Sequence, residues 1–460
     1  IQVEILEIIC YDSKKKQRET IMKVAGIIAE YNPFHNGHKY QLEQVRKRTD
    51  ADYIIIAMSG DFLQRGVPAL SDKHTRARMA LSAGADLVLE LPTVWATSSA
   101  EYFAAGGVAL LGKTGVVDHL CYGCETMDTN LFHAIVSVLS ANTSAGSGKF
   151  QEYLSALLKS GASFPTARSK AVAACLPDIP SGTISAFLSS PNNILGLEYE
   201  KSLCRWNHEQ TVSVSFSGKQ MSGFPLQRVG EGYHSNRMDG SFASATAIRN
   251  TLFSAYSVDV SSKTANDVSS AFAQIQSQLP AESFSILEAS GFASLLDTDD
   301  FSDALYTKLL LYQHCGYEKF ADCSRELSCK IKKHLHQFMS FSQFASLLKS
   351  KEITYTRICR VLLHILLNIV QEDYTVSSMN ERITYLRVLG FRRDSAPLLS
   401  AIKKEASAPL ITKVADASHV LSDDRFWQHD LFSADLYRGI SSIHQGLTLP
   451  NEYQHPLVIV

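Results

Sequence analysis

Two histidines flank an Asn-Gly pair directly after the first apolar run of the chain: His35-Asn36-Gly37-His38, reached through Glu30-Tyr31-Asn32-Pro33-Phe34. Imidazoles at that spacing can both donate to phosphoryl oxygens as charge builds on them in a transition state. Gly37 takes a Cβ out of the path of an approaching phosphate. A helix starting here adds unpaired N–H groups and the positive end of its dipole. The competing reading, an HxxH metal pair, needs a third and a fourth ligand close in space. Position at a strand end, with a glycine between the rings, points to phosphate chemistry.

Further pieces lie downstream. Ser244-Ala245-Thr246-Ala247-Ile248-Arg249 precedes a helical pattern over Ile248–Leu252. Hydroxyls at a helix start can cap it and bind phosphate, and Arg249 offers a bidentate fork. Alone, the motif reads as an ordinary cap with a solvated arginine. Ser190-Pro191-Asn192-Asn193-Ile194-Leu195-Gly196 puts two side-chain amides at a helix start, where they suit a base edge or plain N-capping. Gly107-Val108-Ala109-Leu110-Leu111-Gly112-Lys113-Thr114 fits the P-loop expression GxxxxGKT. It nevertheless continues a helical pattern and is followed by a strand, the wrong context, so Gly112 reads as a helix C-cap with Lys113 at the negative dipole end. Cys121-Tyr122-Gly123-Cys124 is a CxxC without a second pair at metal spacing, and reads as buried thiols.

These residues need a frame. Val24–Tyr31, Tyr53–Met58 and Asp86–Leu91 are apolar runs of strand length, separated by helical spacing over His38–Arg48 and Asp72–Ser82. Ser99–Leu111 is a third helical stretch, and His119–Gly123 is the fourth strand. The alternation predicts a doubly wound α/β domain with a buried parallel sheet. In such sheets ligands sit at the carboxyl ends of strands, where HNGH falls. Asp61 and Gln64-Arg65-Gly66, just past the second strand, face the same crevice. Ala141–Gly148 reads as a Ser/Gly-rich loop, Tyr153–Leu158 and Thr166–Cys175 as helices, and Val212–Phe216 as a strand. Residues 256–283 form a Ser, Ala and Gln border. A mainly helical domain then occupies 284–460, with helices over Leu305–Cys315, Arg325–Phe338, Phe341–Leu348, Tyr355–Val370, Arg382–Leu389 and Ala396–Lys404.

Composition limits the function classes. The 460 residues are 45% hydrophobic and 20% charged, an ordinary globular profile. Lys plus Arg is 44 against 46 Asp plus Glu, so no global positive field marks a nucleic-acid binder and any such partner is held by a local patch. Three local clusters qualify: Lys330, Lys332, Lys333, His334 and His336; Tyr355, Arg357 and Arg360; and Arg387, Arg392 and Arg393 around Gly390-Phe391. The longest apolar stretch, Val361–Val370, is interrupted by His364 and Asn368 and falls short of the roughly 18 to 20 residues of a membrane span. Nine scattered cysteines suit reduced thiols and a cytoplasmic address. Residues 1–21 precede Met22-Lys23 and read as an extension without an assigned role.

HNGH after a first strand, with a downstream SxTxIR, resembles the HxGH nucleotidyltransferase superfamily. GIIAEYNPFHNGHKY, MSGDFLQRGVPA, DLVLELP, PNNILGLEY and SATAIR are similar to the bacterial tRNA(Met) cytidine acetate ligase family. The match runs from about Met22 to Asn250, with thinner support from ITYTRICR (353–360) and ITYLRVLGF (383–391). The resemblance implies that residues 22–255 form a nucleotidyltransferase-like ATP-binding domain and 284–460 a tRNA-binding one. It implies activation of acetate by ATP as acetyl-adenylate, then transfer of the acetyl group to N4 of the wobble cytidine of elongator tRNA(Met), with neither DNA nor membrane as partner. Carried over by motif, the ATP contacts are Ile28, Ala29, Glu30, Tyr31, Asn32, Pro33, Phe34, His35, Asn36, Gly37, His38, Lys39, Tyr40 and Gln41 around the loop. Gly123, Asn192, and Arg228 with Val229 follow, and Ser244, Thr246 and Arg249 join them from the second motif. His35 and His38 would be catalytic, stabilising the α-phosphoryl centre; Gly123 would let the nucleotide lie close to the sheet, and Arg228 would neutralise phosphate charge. Mg2+ is a candidate companion of the phosphates. Two other readings stay open: a nucleotidyltransferase moving AMP onto a small phosphorylated metabolite, and a non-catalytic RNA-binding protein that keeps the fold. The large helical domain argues against the first and the intact histidines against the second.

Overall fold

The computed structural model describes residues 22–140, 148–212, 219–228, 242–254, 265–421 and 423–460. The apolar runs become strands β1 (Val24–Ala29), β2 (Tyr53–Ser59), β5 (Leu87–Leu91) and β6 (His119–Cys124), with a short hairpin, β3 (Phe62–Leu63) and β4 (Val67–Pro68), after β2. β7 (Ser222–Gln227), β8 (Leu386–Phe391), β9 (Leu410–Ile411) and β10 (Val458–Ile459) complete the set. The main sheet runs β10-β8-β5-β2-β1-β6-β7, with β9 on β8. Strands β5, β2, β1, β6 and β7 are mutually parallel, and β8 joins β5 antiparallel. The chain steps from β1 out to β2 and β5, then returns to the other side of β1 for β6, so the order reverses between β1 and β6. That is the topological switch point of a doubly wound sheet.

The helices that matter for the site cover both faces: α1 (Asn36–Thr49), α2 (Lys73–Ser82), α3 (Ala100–Lys113), α4 (Pro191–Val212) and α5 (Ala245–Ser254). Ile54, Ile55 and Ile56 of β2 are all fully buried, because a central parallel strand faces helices on both sides. Each such side chain contributes about 1.5 to 3 kcal/mol of burial. α2 starts where Asp72 accepts the N–H groups of His74 and Thr75, as its cap position predicts.

The P-loop look-alike is a packing device. α3 runs through Gly112 to Lys113, and the left-handed residue beyond it is Gly115, with φ +72°, so Gly112 is not the cap. A Cβ at Gly107 would lie 2.5 Å from Ile28 Cδ1 of β1, and one at Gly112 would lie 2.3 Å from the Trp206 indole. The glycines let a helix press against sheet and helix; they hold no phosphate.

Two further sequence expectations change, at Arg382–Leu389 and at Val212. Arg382–Leu389 is not a helix: Asn380–Arg382 is a single 3-10 turn and Leu386–Phe391 is β8, buried along its whole length. The open edge of β5 supplied backbone partners that outweighed a short helical spacing. Val212 closes α4 rather than opening a strand; 213–216 lie outside the described residues, and the strand comes later as β7. Of Ala141–Gly148, only Gly148 is described, and it opens a helix to Lys159. Elsewhere the helical C-terminal part appears as expected, including α6 (Tyr355–Leu367) and α7 (Arg425–Gln445). It also contributes β8, β9 and β10, so one sheet spans both sides of the border segment.

Gly66 at the tip of the β3–β4 hairpin shows how closely the two parts fit. Its φ is +78°, and a Cβ there would fall 2.2 Å from Arg360 N and 2.3 Å from Cys359 C of α6. Gly66→Ala is expected to lower stability by at least about 1 to 3 kcal/mol through strain and backbone collision. The fall in thermal midpoint measures it, and a midpoint within a degree of wild type would refute the packing argument.

Candidate active site

A cleft opens at the switch point, over the carboxyl ends of β1, β6 and β7. Ile28, Ala29, Tyr122, Gly123, Leu226 and Gln227 form its floor, and α1 closes one side. His35 is the N-cap of α1 and His38 its N3 residue. His35 Nδ1 accepts the Gly37 N–H at 3.1 Å, and His38 Nδ1 accepts the His35 N–H at 3.3 Å. The two imidazoles thus form a reciprocal capping box, a role usually filled by Ser or Thr with Glu or Gln. They stack at 3.8 Å between ring centroids, and Tyr31 packs edge-on against His38 at 4.8 Å.

This arrangement fixes the chemistry of both rings. With each Nδ1 occupied as an acceptor, the ring proton of a neutral imidazole resides on Nε2, so both rings present Nε2–H donors. Burial first, then the charges of Arg228 and Arg249, push His35 down to about 3. Burial, with His35 and Arg228 adding to it, also holds His38 well below the ordinary imidazole range. Two neutral donors can stack where two cations would repel. Gly37 makes this possible, though by a route other than the one expected: a Cβ there would stand 2.9 Å from His35 Cε1, so the glycine clears space for the His35 ring. Gly37→Ala is expected to cut turnover by at least about tenfold by displacing a positioned donor, with little change in thermal midpoint. Steady-state rates beside a thermal melt check both halves.

The depressed histidines also set a pH dependence. His35 binds its proton less readily folded than unfolded, so acidification below about pH 6.5 favours the unfolded state. Between pH 6.5 and 5 this removes about 2 kcal/mol for His35, and the buried His364, lowered in the same direction by burial, adds to it. Burial works the other way on two carboxyls, raising Asp61 to about 6 and Asp430 to about 7, so that they take up protons in the folded state over the same interval. The histidine share is therefore read as a difference: the thermal midpoint of His35→Asn should fall less than that of wild type between about pH 6.5 and 5. Equal falls would contradict a neutral, buried ring.

Cations and amides gather on the other walls. Gly123 faces Arg228: a Cβ would meet Arg228 Cγ at 3.1 Å, so the glycine first accommodates the arginine. Arg249, on α5, donates from Nη1 to the Asn32 carbonyl at 2.7 Å and from Nη2 to Thr246 Oγ1 at 3.2 Å. It ties the second motif to the first across more than two hundred residues. Ser244 caps α5, accepting the Ala247 N–H at 3.1 Å. Asn192 donates its amide to Glu125 at 2.6 Å, while Asn193, fully buried, accepts the N–H groups of Glu125 and Thr126. Of the pair, Asn192 lines the cleft and Asn193 secures the loop after β6.

Residues 22–447 match the family model described as HIGH Nucleotidyl Transferase. The tRNA(Met) cytidine acetate ligase of Thermoanaerobacter sp. (strain X514) is 36% identical over 421 residues, covering 90% of this chain and 95% of that protein. The protein of the same name from Clostridium perfringens (strain ATCC 13124) is 33% identical over 437 residues, covering 94% and 98%. The chain belongs to the tRNA(Met) cytidine acetate ligase family. Among solved structures, Thermotoga maritima TmcAL bound with alpha-thio ATP superposes with a TM-score of 0.79 at 28% identity, over 95% of this chain and all of that one. The apo form of the same protein gives 0.83 at 29%.

Most sequence-predicted contacts of this family member meet in the cleft: Ile28 through Asn32, His35, Gly37, His38, Tyr40, Gln41, Gly123, Asn192, Arg228, Ser244, Thr246 and Arg249. Pro33, Phe34, Asn36 and Lys39 do not line it. Phe34 is buried in the core, and Asn36 donates outward to the Ser277 carbonyl at 2.9 Å. Val229 lies outside the described residues. Gln64 and Arg65 reach the cleft, whereas Asp61 turns inward to accept the Lys73 N–H at 2.8 Å. Missed residues include Gln44 and Arg48, which continue the α1 face of Tyr40 and Gln41, and Leu195 and Tyr199, which follow Asn192 on one face of α4. Helical periodicity from the motif residues would have found these four. Phe103, from the first turn of α3, carried no local signal.

Cys121 and Cys124 are buried and free, and burial pushes their thiols up to about 12 and about 11. Neither is primed for redox or metal chemistry, and among the described residues no three His, Cys, Asp or Glu side chains cluster as a metal site. The basic clusters thin out in three dimensions. Arg387 is buried at 2% exposure on Glu90 and Glu452; Arg357 and Arg360 pair with Asp322; Lys330 caps Leu348 O at 2.6 Å. Lys332, Lys333, His336, Tyr355 and Arg393 remain exposed. Among the described residues no helix is long and apolar enough to cross a membrane.

Proposed function

We propose that this chain is an ATP-dependent ligase that activates acetate as acetyl-adenylate and acetylates N4 of the wobble cytidine of elongator tRNA(Met). The observation that carries the reading is the pair of stacked, neutral, Nε2-donating histidines with Arg228 and Arg249 in one cleft. Donors fixed before the reaction stabilise charge appearing on the α-phosphoryl oxygens as an acetate oxygen attacks and pyrophosphate departs. Being neutral beforehand, the rings hold no competing carboxylate. Arg228 and Arg249 supply the counter-charge, and Asn192, its NH2 held by Glu125, leaves its amide oxygen for a base edge. Mg2+, where required, arrives on the nucleotide's phosphates. The relatives' names supply the acceptor and the acyl group; Lys332, Lys333, His336, Tyr355 and Arg393 are the exposed groups proposed for tRNA. The test is incubation with ATP, radiolabelled acetate and elongator tRNA(Met). ATP-dependent label in that tRNA is expected; AMP transfer to a phosphorylated metabolite without tRNA labelling would overturn the proposal.

A further inference from the structure

Acetyl transfer to an exocyclic amine needs a group that takes up the amine's proton, and the cleft contains few. Neither histidine can serve, because each Nδ1 already accepts a backbone N–H and each Nε2 carries a hydrogen. The phenols of Tyr122 and Tyr199 are pushed above their ordinary range by burial, beyond any use as acceptors near neutrality. Among the described residues that line the cleft, Glu30 is the one carboxylate. It stands at the carboxyl end of β1, and its placement is built in. Its carbonyl accepts Arg76 Nη1 at 2.7 Å, and the fully buried Arg76 also grips the carbonyls of Ser59, Gly60 and Ser71. Its Oε1 accepts the Gln64 N–H at 2.8 Å. Its Oε2 has no hydrogen-bond partner among the described residues, and the side chain is partly exposed to the cleft.

We infer that Glu30 is the general base of the acetyl-transfer step, its Oε2 accepting a hydrogen bond from N4 of the cytidine and then the proton that N4 releases. A carboxylate is the side chain that pairs with a cytosine amino group, so one residue both recognises the base and deprotonates it. In the step, the N4 lone pair forms the bond to the acetyl carbon. The bond from that carbon to the adenylate oxygen breaks, AMP leaves with the electron pair, and the N4 proton passes to Glu30 and on to water.

The assignment rests on the ligase reading above, and the test separates the two. Glu30→Gln keeps an oxygen for the Gln64 N–H but cannot take a proton. Two products are measured with ATP, labelled acetate and elongator tRNA(Met) present: acetyl-tRNA, and acetyl hydroxamate formed when hydroxylamine intercepts acetyl-adenylate. The ratio of acetyl-tRNA to hydroxamate is expected to fall about 10²-fold in Glu30→Gln and less in Glu30→Asp. A ratio within threefold of wild type, whether both products persist or both decline together, would overturn the role of Glu30. Absence of hydroxamate in the wild-type protein would instead bring down the acetyl-adenylate reading, and Glu30's role with it.

Discussion

His38→Ala is expected to lower ATP- and acetate-dependent tRNA acetylation by about 10²- to 10³-fold, the cost of removing one fixed donor from a charge-stabilising site. The fold should survive, since beside its ring packing on His35 and Tyr31 at the cleft wall His38 contributes one long capping contact, 3.3 Å from the His35 N–H, worth under about 1 kcal/mol. His35 carries two duties, cap and donor, and one substitution separates them. In His35→Asn the side-chain oxygen can still accept the Gly37 N–H, as asparagine does at N-caps, while the Nε2–H is lost. Its thermal midpoint should stay near that of wild type and its activity should fall about as far as that of His38→Ala. Rates for both variants within fivefold of wild type would remove the histidines from the chemistry, whatever the cleft looks like.

Lys73→Met is expected to destabilise the protein by about 3 to 5 kcal/mol, because it leaves buried carboxylates without their cation. Lys73, 1% exposed at the start of α2, lies 2.8 Å from Glu90 of β5, 3.2 Å from Glu452 near the C-terminus and 3.8 Å from Asp61. Arg387 of β8 closes the cluster from the other side, 2.9 Å from Glu90 and in contact with Glu452. The network therefore clamps β8 and the C-terminal tail onto the sheet. Burial alone would raise the Glu452 carboxylate, but Lys73 and Arg387 hold it well below the carboxylate range. A depressed carboxylate stabilises the fold above its unfolded value of about 4.3 and loses that contribution only in stronger acid. Glu452 therefore adds nothing to the pH dependence between about pH 6.5 and 5. Denaturant midpoints give the Lys73→Met loss, and Lys73→Met combined with Glu90→Leu should recover part of it. A single variant as stable as wild type would show that the cluster does not hold the two parts together.

Residue patterns along the chain were enough to reveal the parallel-sheet core, the order of its first strands and helices, and the location of His35-Asn36-Gly37-His38 at the end of β1. These are local matters: apolar runs of strand length, caps such as Asp72, and a motif read from adjacent residues. The sheet pairing and the fate of charges were decided in three dimensions. Leu386–Phe391 became a strand because β5 had an unpaired edge to offer it. Arg387, which looked from sequence like an RNA contact, is enclosed because Glu90 and Glu452 converge on it from elements far away in the chain. The histidines are neutral donors for the same kind of reason: enclosure withdraws the water that would stabilise a charged ring, and Arg228 reaches both rings, and Arg249 the His35 ring, from distant segments. Local pattern depends on neighbours in the chain, whereas protonation and burial depend on neighbours in space.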